Sequence, residues 1–199
     1  MKQFVLAVIL SVQLFASSTV TIMPISDTIC ITVTSFENRN VFEDTHQQLK
    51  PLHPTKARAI IIDLRGNSGG YIHEAIEFSA LFVNTSPLID LIDHNDTMLS
   101  VTRPKHHPFI QTRALIIVVG PNTASSAEAA AYILAKHPKA TIIGKQSYGK
   151  TSIESKSSSS PYKSFDINAS FISPDQTIDI LANASYESQI LQILASVDE

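Results

Sequence analysis

The hydrophobic positions of the chain fall into short apolar runs that alternate with stretches of helical periodicity. Three runs are almost wholly apolar, at 59–64, 114–119 and 141–144, and this pattern is typical of strands buried on both faces. Between them, residues 72–83 and 125–136 repeat their apolar positions with the period of an amphipathic helix. Strand, helix, strand, helix, strand predicts a layered α/β fold.

Weaker patterns flank this series. They predict strands at 28–34, 88–92 and 165–172, and helices at 42–52 and 188–196. The rest of 86–113 is polar and predicted to be irregular, and the polar stretch after Lys150 is predicted to be a hairpin-like loop.

The N-terminus has the pattern of a secretory signal peptide. Lys2 precedes an apolar run over 4–15, and small residues follow, which predicts cleavage after Ala16 or Ser18. Because this run is too short for a comfortable membrane span, we expect no stable span. The sequence therefore predicts a secreted or periplasmic protein with one domain at 19–199.

Composition and charge exclude several classes of function. The 199 residues carry a formal net charge of −3 and no basic stripe, so no nucleic-acid partner is predicted. Cys30 is the single cysteine, which excludes an internal disulfide, and we expect it to be buried in a strand. His94, His106 and His107 lie in a polar loop without the i, i+4 spacing of a zinc protease, and no metal site is predicted.

Three motifs at the ends of the predicted elements carry residues suited to acyl transfer. Residues 63–70, Asp-Leu-Arg-Gly-Asn-Ser-Gly-Gly, end a buried strand, and their glycines can turn backbone N–H groups towards a developing negative charge. Ser125, in Thr-Ala-Ser-Ser-Ala-Glu, opens a helix whose dipole favours an oxyanion. Lys150, in Tyr-Gly-Lys, follows the third buried strand, and a lysine acts as a base only where burial keeps it neutral.

Each motif also has a purely structural explanation when it is taken alone. Paired glycines are common in turns, and most lysines are simply solvated. Ser125 and Glu128 have the spacing of a capping box, in which the two residues satisfy backbone donors at a helix start. The three motifs together, in this order, favour a functional site.

Together they resemble the carboxyl-terminal processing, or tail-specific, proteases, which use a serine–lysine dyad. That family has D-L-R-x-N-x-G-G after a buried strand, then T-A-S-x-x-E at a helix start, then Y-G-K. The resemblance implies that Ser125 is the nucleophile and Lys150 its general base. It implies an oxyanion hole made by the backbone N–H of Gly70, or of its neighbour Gly69, with that of Ser126. It also implies a Clp/crotonase-like α/β core that needs no metal or organic cofactor.

The chain departs from the family's pattern in three places. Members usually carry a PDZ domain that recognises substrate C-termini. Only about 40 residues separate the predicted signal peptide from Ala59, which predicts a form without that domain. Lys136 stands where some members have an acidic residue. Glu154 stands where several have glutamine, four positions after the base, so we take it as a candidate base-orienting residue.

The sequence thus predicts a serine endopeptidase that acts on protein or peptide substrates through an acyl-enzyme. Two alternatives stay open. One is a catalytically inactive binding module on the same fold, against which the presence of both Ser125 and Lys150 argues. The other is a crotonase-type enzyme acting on acyl-thioesters, against which the predicted export argues.

Overall fold

The structure is a computed structural model that describes residues 19–93, 97–105, 107–150, 152–154, 164–167 and 186–197. The predicted signal peptide, residues 1–18, lies outside these ranges. The strands are β1 (Val20–Ile25), β2 (Thr28–Val33), β3 (Ala59–Asp63), β4 (Ile89–Asp93), β5 (Met98–Val101), β6 (Leu115–Val119), β7 (Ala140–Gly144), β8 (Ser152–Glu154) and β9 (Ser164–Ile167). The α-helices are α1 (Val41–Leu49), α2 (Ile72–Ala80), α3 (Ser126–Leu134) and α4 (Tyr186–Ser196).

The main sheet has the strand order β1-β2-β3-β6-β7. Strands β2, β3, β6 and β7 run parallel, and β1 pairs antiparallel with β2 at one edge. The central strands β3 and β6 are buried throughout, in agreement with their continuous apolar sequences. Because the four strands are parallel, the segments that follow β3, β6 and β7 leave the sheet at the same end.

Side chains of the main sheet alternate between two hydrophobic clusters. Ile60, Ile62 and Ile117 pack with helices α1, α2 and α3 on one face. Ile61 and Ile116 point to the other face, where they pack with α4. Helices thus cover both faces of a sheet that is mostly parallel, and the predicted α/β class is confirmed.

A second sheet, ordered β5-β4-β9-β8, is antiparallel throughout. Strands β8 and β9 pair with each other after Lys150, where a hairpin-like loop was predicted. The prediction of an irregular 86–113 is wrong at β5. This strand was missed because it is short and largely exposed, so it lacks the burial that produces an apolar pattern.

Two further differences concern element bounds. Strand β1 was not predicted because Pro24 interrupts it, yet an edge strand tolerates a proline that has no N–H to donate. The helix predicted at 42–52 is α1, and a short 3-10 helix at Lys50–Leu52 follows it where Pro51 prevents α-helical continuation. Among the helices of the described ranges, none combines the length and apolar character needed to cross a bilayer.

Candidate active site

The first motif forms a tightly bonded loop at the end of β3. Arg65 binds both carboxylate oxygens of Asp63, with hydrogen bonds that include Nε to Oδ1 at 2.9 Å and Nη2 to Oδ2 at 2.6 Å. The buried Asn67 donates from Nδ2 to the carbonyl oxygen of Val33 at 3.1 Å, and its Oδ1 accepts the Gly69 N–H at 2.9 Å. Side chains of the loop therefore fix the backbone that leads to the paired glycines.

Both glycines of this loop have left-handed φ angles, 109° at Gly69 and 138° at Gly70. Gly70 lies in a bridge with Phe36, made by the Phe36 N–H to the Gly69 oxygen and the Tyr71 N–H to the Phe36 oxygen. In such a parallel bridge, the N–H of Gly70 points away from Phe36. Since Asn67 already accepts the Gly69 N–H, Gly70 is the stronger candidate of the two for an oxyanion donor.

Close packing explains why neither glycine has room for a side chain. A Cβ atom on Gly70 would lie 2.2 Å from the carbonyl carbon of Phe36. A Cβ atom on Gly69 would lie 3.0 Å from the Cβ of Ser125 and 3.3 Å from the backbone nitrogen of Ser126. The glycine loop therefore lies directly against the serine motif.

Ser125 occupies a strained turn between β6 and α3. Its φ of 55° and ψ of −122° are unusual for a residue with a side chain. A serine held in a sharp strand-to-helix turn is the arrangement that exposes the hydroxyl in nucleophile elbows. The preceding Thr123 anchors the turn, since its hydroxyl donates to the Leu64 oxygen at 2.8 Å and accepts the Gly120 N–H at 3.0 Å.

The N–H of Ser126 is the second candidate oxyanion donor. Ser126 is the first residue of α3, and the first N–H groups of a helix have no intrahelical acceptor. The Ala124 N–H donates to the Asn67 oxygen at 3.1 Å, which ties this turn to the glycine loop. The N–H groups of Gly70 and Ser126 thus belong to two backbone segments, the glycine loop and the serine turn, that are hydrogen-bonded to each other.

Glu128 of helix α3, which is only 2% exposed, connects this helix to the third motif through hydrogen bonds. One carboxylate oxygen, Oε2, accepts the Ser125 N–H at 2.9 Å. The other, Oε1, accepts the Ser147 hydroxyl and the Gly149 N–H, both at 2.7 Å. Lys150, which is half-buried, follows directly.

A fourth bond supports this junction, because the Tyr148 N–H donates to the Thr123 oxygen at 2.9 Å. All three predicted motifs therefore meet in one hydrogen-bonded cluster. From the sequence, Glu128 is predicted only as a capping-box partner of Ser125. Its place in the T-A-S-x-x-E motif was the available signal, but spacing alone could not reveal its bonds to Ser147 and Gly149.

His107 and Cys30 take no part in the hydrogen bonds of this cluster. Glu154 ends β8, and its side chain lies outside what the structure describes, as do His94 and His106. His107 donates from Nε2 to the Glu77 oxygen at 2.9 Å, which gives it a structural role.

Cys30 is buried as predicted. Burial, followed by the nearby charge of Asp63, raises the pKa of its thiol to about 12. No group of three metal-ligating side chains occurs within the described residues.

Comparison with solved structures places this arrangement among known folds. The photosystem II D1 C-terminal processing protease superposes with a TM-score of 0.61 at 19% identity, over 71% of this chain and 40% of that one. A lipoprotein from Streptococcus agalactiae gives 0.60 at 18% identity, over 83% of this chain and 60% of that one. These likenesses show a shared α/β fold.

Sequence comparison agrees with the three motifs. The carboxyl-terminal-processing protease of Synechocystis sp. is 28% identical over 116 residues, 58% of this chain and 27% of that protein. The carboxy-terminal processing protease CtpA of Bacillus subtilis is 29% identical over 124 residues, 62% and 26% of the two chains. The chain thus spans about a quarter of the length of these relatives.

A family model supplies the assignment. Residues 27–176 match the model of peptidase family S41, a range that includes all three motifs and well over half of the chain. The resemblance to carboxyl-terminal processing proteases is therefore confirmed, and the chain belongs to peptidase family S41.

Proposed function

We propose that this chain is a serine endopeptidase with Ser125 as nucleophile and Lys150 as general base. The observation that carries the proposal is the cluster in which Glu128 binds the backbone of Ser125 and of Gly149, the residue before Lys150. Because Gly149 directly precedes Lys150 and a lysine side chain is long and flexible, this junction supports Lys150 as the base of Ser125. Family membership supports the same chemistry.

In the proposed acylation step, the Ser125 hydroxyl oxygen adds to a peptide carbonyl carbon while the Lys150 amine takes its proton. The resulting oxyanion accepts hydrogen bonds from the N–H groups of Gly70 and Ser126. The C–N bond then breaks as Lys150 returns the proton to the leaving amine. A water molecule then adds to the ester carbonyl carbon while Lys150 takes its proton. The bond from that carbon to the Ser125 oxygen breaks, Lys150 returns the proton to this oxygen, and the acid product leaves.

Substrates and cellular location extend this proposal. The relatives' names describe carboxyl-terminal processing, so we propose protein or peptide substrates. The pattern of residues 1–18 supports export to the periplasm or the outside of the cell. We also propose that Glu154, four positions after Lys150 and the last residue of β8, orients the base.

A covalent probe tests the dyad. A fluorophosphonate should label the parent protein at Ser125, as mass spectrometry of the tryptic peptide would show, and Ser125→Ala should not be labelled. Lys150→Ala should lose both labelling and casein cleavage, whereas the exposed Lys145→Ala, from the same connection, should keep both. Full cleavage by Lys150→Ala would remove the lysine from the mechanism. An unlabelled parent protein would favour a binding module on this fold.

A further inference from the structure

A pocket opens at the end of the main sheet opposite the candidate active site. It holds about 510 Å³ and is lined in part by Thr55, Arg113 and Lys139. These residues precede β3, β6 and β7, whereas the three motifs follow the same strands. Because these strands are parallel, the pocket and Ser125 lie at opposite ends of the strands, separated by the length of a strand.

Three of the side chains around this pocket are cationic. Arg113, Lys136 and Lys139 line it, and no carboxylate does. No salt bridge within the described residues involves any of these three cations. The whole chain has a net charge of −3, so the positive charge around this pocket is opposite in sign to the net charge of the protein. Such a concentration of positive charge attracts an anion.

Two of the lining groups are held in place by the protein. Lys136 donates from Nζ to the Pro87 oxygen at 3.3 Å, and burial lowers its pKa while the nearby Asp90 raises it. His137 is buried, and its Nδ1 accepts the Lys139 N–H at 3.1 Å. A ring that accepts at Nδ1 carries its proton on Nε2, so His137 adds a neutral donor to the cations.

The pocket also has an apolar wall. Phe109 is 42% exposed and lines it. The guanidinium of Arg103 lies 5.8 Å from the ring centroid of Phe109 and is fixed by hydrogen bonds to the carbonyl oxygens of His107 and Pro108. A ring supported in this way offers a surface on which a flat organic group can stack. The volume lies within the usual range of small-molecule sites.

We propose that this pocket binds a small diphosphate ester that carries a flat ring, such as a nucleoside diphosphate. A diphosphate ester carries about three negative charges at neutral pH, which the three cations can balance. Phosphate oxygens accept hydrogen bonds from lysine and arginine, and Arg113 can bind two of them at once. The ring would then rest against Phe109. The proposal does not depend on the peptidase chemistry, since none of these residues belongs to the three motifs.

Isothermal titration calorimetry of the full chain with ADP, and separately with inorganic pyrophosphate, tests the proposal. We expect saturable ADP binding with a Kd below about 1 mM. Arg113→Gln and Lys139→Gln should each weaken it about tenfold, since each removes a hydrogen bond to a charged group. Both residues are exposed, so circular dichroism should show an unchanged fold. Phe109→Ala should weaken the binding of ADP and leave that of pyrophosphate unchanged.

Matched controls separate a specific site from general attraction. Lys50→Gln removes an exposed cation at the end of α1, outside the pocket, and should bind ADP as the parent does. Ser125→Ala should also bind ADP normally, so a failure of the proposed peptidase function would leave this result intact. No saturation at about 10 mM ADP, or an equal loss in Lys50→Gln, would overturn the proposal.

Discussion

The carboxylate of Glu128 accepts the backbone N–H of Gly149 at 2.7 Å, and this bond helps to join the serine motif to the lysine motif. The same carboxylate holds the Ser125 N–H through its other oxygen. A residue that looks like a helix cap is thus the connection between the proposed nucleophile and the segment that presents the proposed base. We infer that Glu128 acts as a positioning residue.

This role predicts a specific kinetic defect in Glu128→Gln. The variant keeps the size of the side chain, but one acceptor oxygen becomes an NH2 group that cannot accept from Ser125 or Gly149. We expect kcat to fall on the order of a hundredfold, because a small displacement of a catalytic group has effects of that size. KM for a peptide substrate should change little. Steady-state kinetics would measure both.

The control for this variant is Glu43→Gln, which makes the same change on the exposed face of α1. It should leave kcat and KM unchanged. A parental kcat in a folded Glu128→Gln would show that the carboxylate only caps the helix.

A second prediction concerns the paired glycines. Gly70→Ala would place a Cβ atom 2.2 Å from backbone atoms of Phe36 at a φ of 138°. Backbone strain and overpacking each cost about 1–3 kcal/mol, so we expect the free energy of unfolding to fall by roughly 3 kcal/mol or more. Gly66→Ala is the matched control, since no atom lies within 4 Å of its added Cβ. Urea unfolding that gave the same stability for both variants would contradict the bridge between Gly70 and Phe36.

The sequence predicted the centre of this fold better than its margins. Strands β3 and β6 were recognisable because burial on both faces leaves only apolar residues, as in Ile60, Ile61 and Ile62. Strand β5 was not, because its residues are exposed, and β1 was hidden by Pro24. The pattern of apolar residues along the chain indicates which strands are buried, and an exposed edge strand has few buried residues to produce such a pattern.

Some features of the candidate site were likewise predictable from the sequence, and others were not. Ser125 and the glycine loop were identifiable because their motifs are contiguous in the chain. The preference for Gly70 over Gly69 as the candidate oxyanion donor rests on which N–H Asn67 accepts, and that contact exists only after the loop has folded. The bonds from Glu128 to Ser147 and Gly149 likewise span about 20 residues of sequence, beyond the reach of any local spacing rule.

A third prediction concerns stability at mildly acidic pH. Burial lowers the pKa of His137, with a further contribution from the charge of Lys139. Burial also lowers the pKa of His107, and the charge of Arg103 acts in the same direction, while the hydrogen bond to Glu77 opposes it. The unfolded chain therefore binds protons more readily than the native protein does below about pH 6.5. The free energy of unfolding should fall as the pH drops through that value.

Urea unfolding at pH 7.5 and pH 5.5 would measure this dependence. Replacement of the buried ring in His137→Gln should reduce the difference between the two pH values, because one proton-binding site of the unfolded chain is removed. His53→Asn changes an exposed histidine with a left-handed φ, which asparagine tolerates, and should leave the difference as in the parent. Identical pH dependence in His137→Gln and the parent would contradict the role assigned to His137.

The last prediction sets stability against function at Ser125 itself. With a φ of 55° and a ψ of −122°, its backbone carries strain of about 1–3 kcal/mol that glycine would not experience. Glycine also makes the unfolded chain more flexible, which opposes the gain by about 0.5–1 kcal/mol.

Relief of strain is the larger effect, so Ser125→Gly should unfold at higher urea concentration than Ser125→Ala, which keeps a Cβ and therefore the strain. Both variants should be inactive, since both lack the hydroxyl. Ala131→Gly, in the interior of α3, should instead lose stability. A Ser125→Gly variant less stable than Ser125→Ala would mean that this backbone conformation is relaxed, and the turn would then need another explanation than the exposure of a nucleophile.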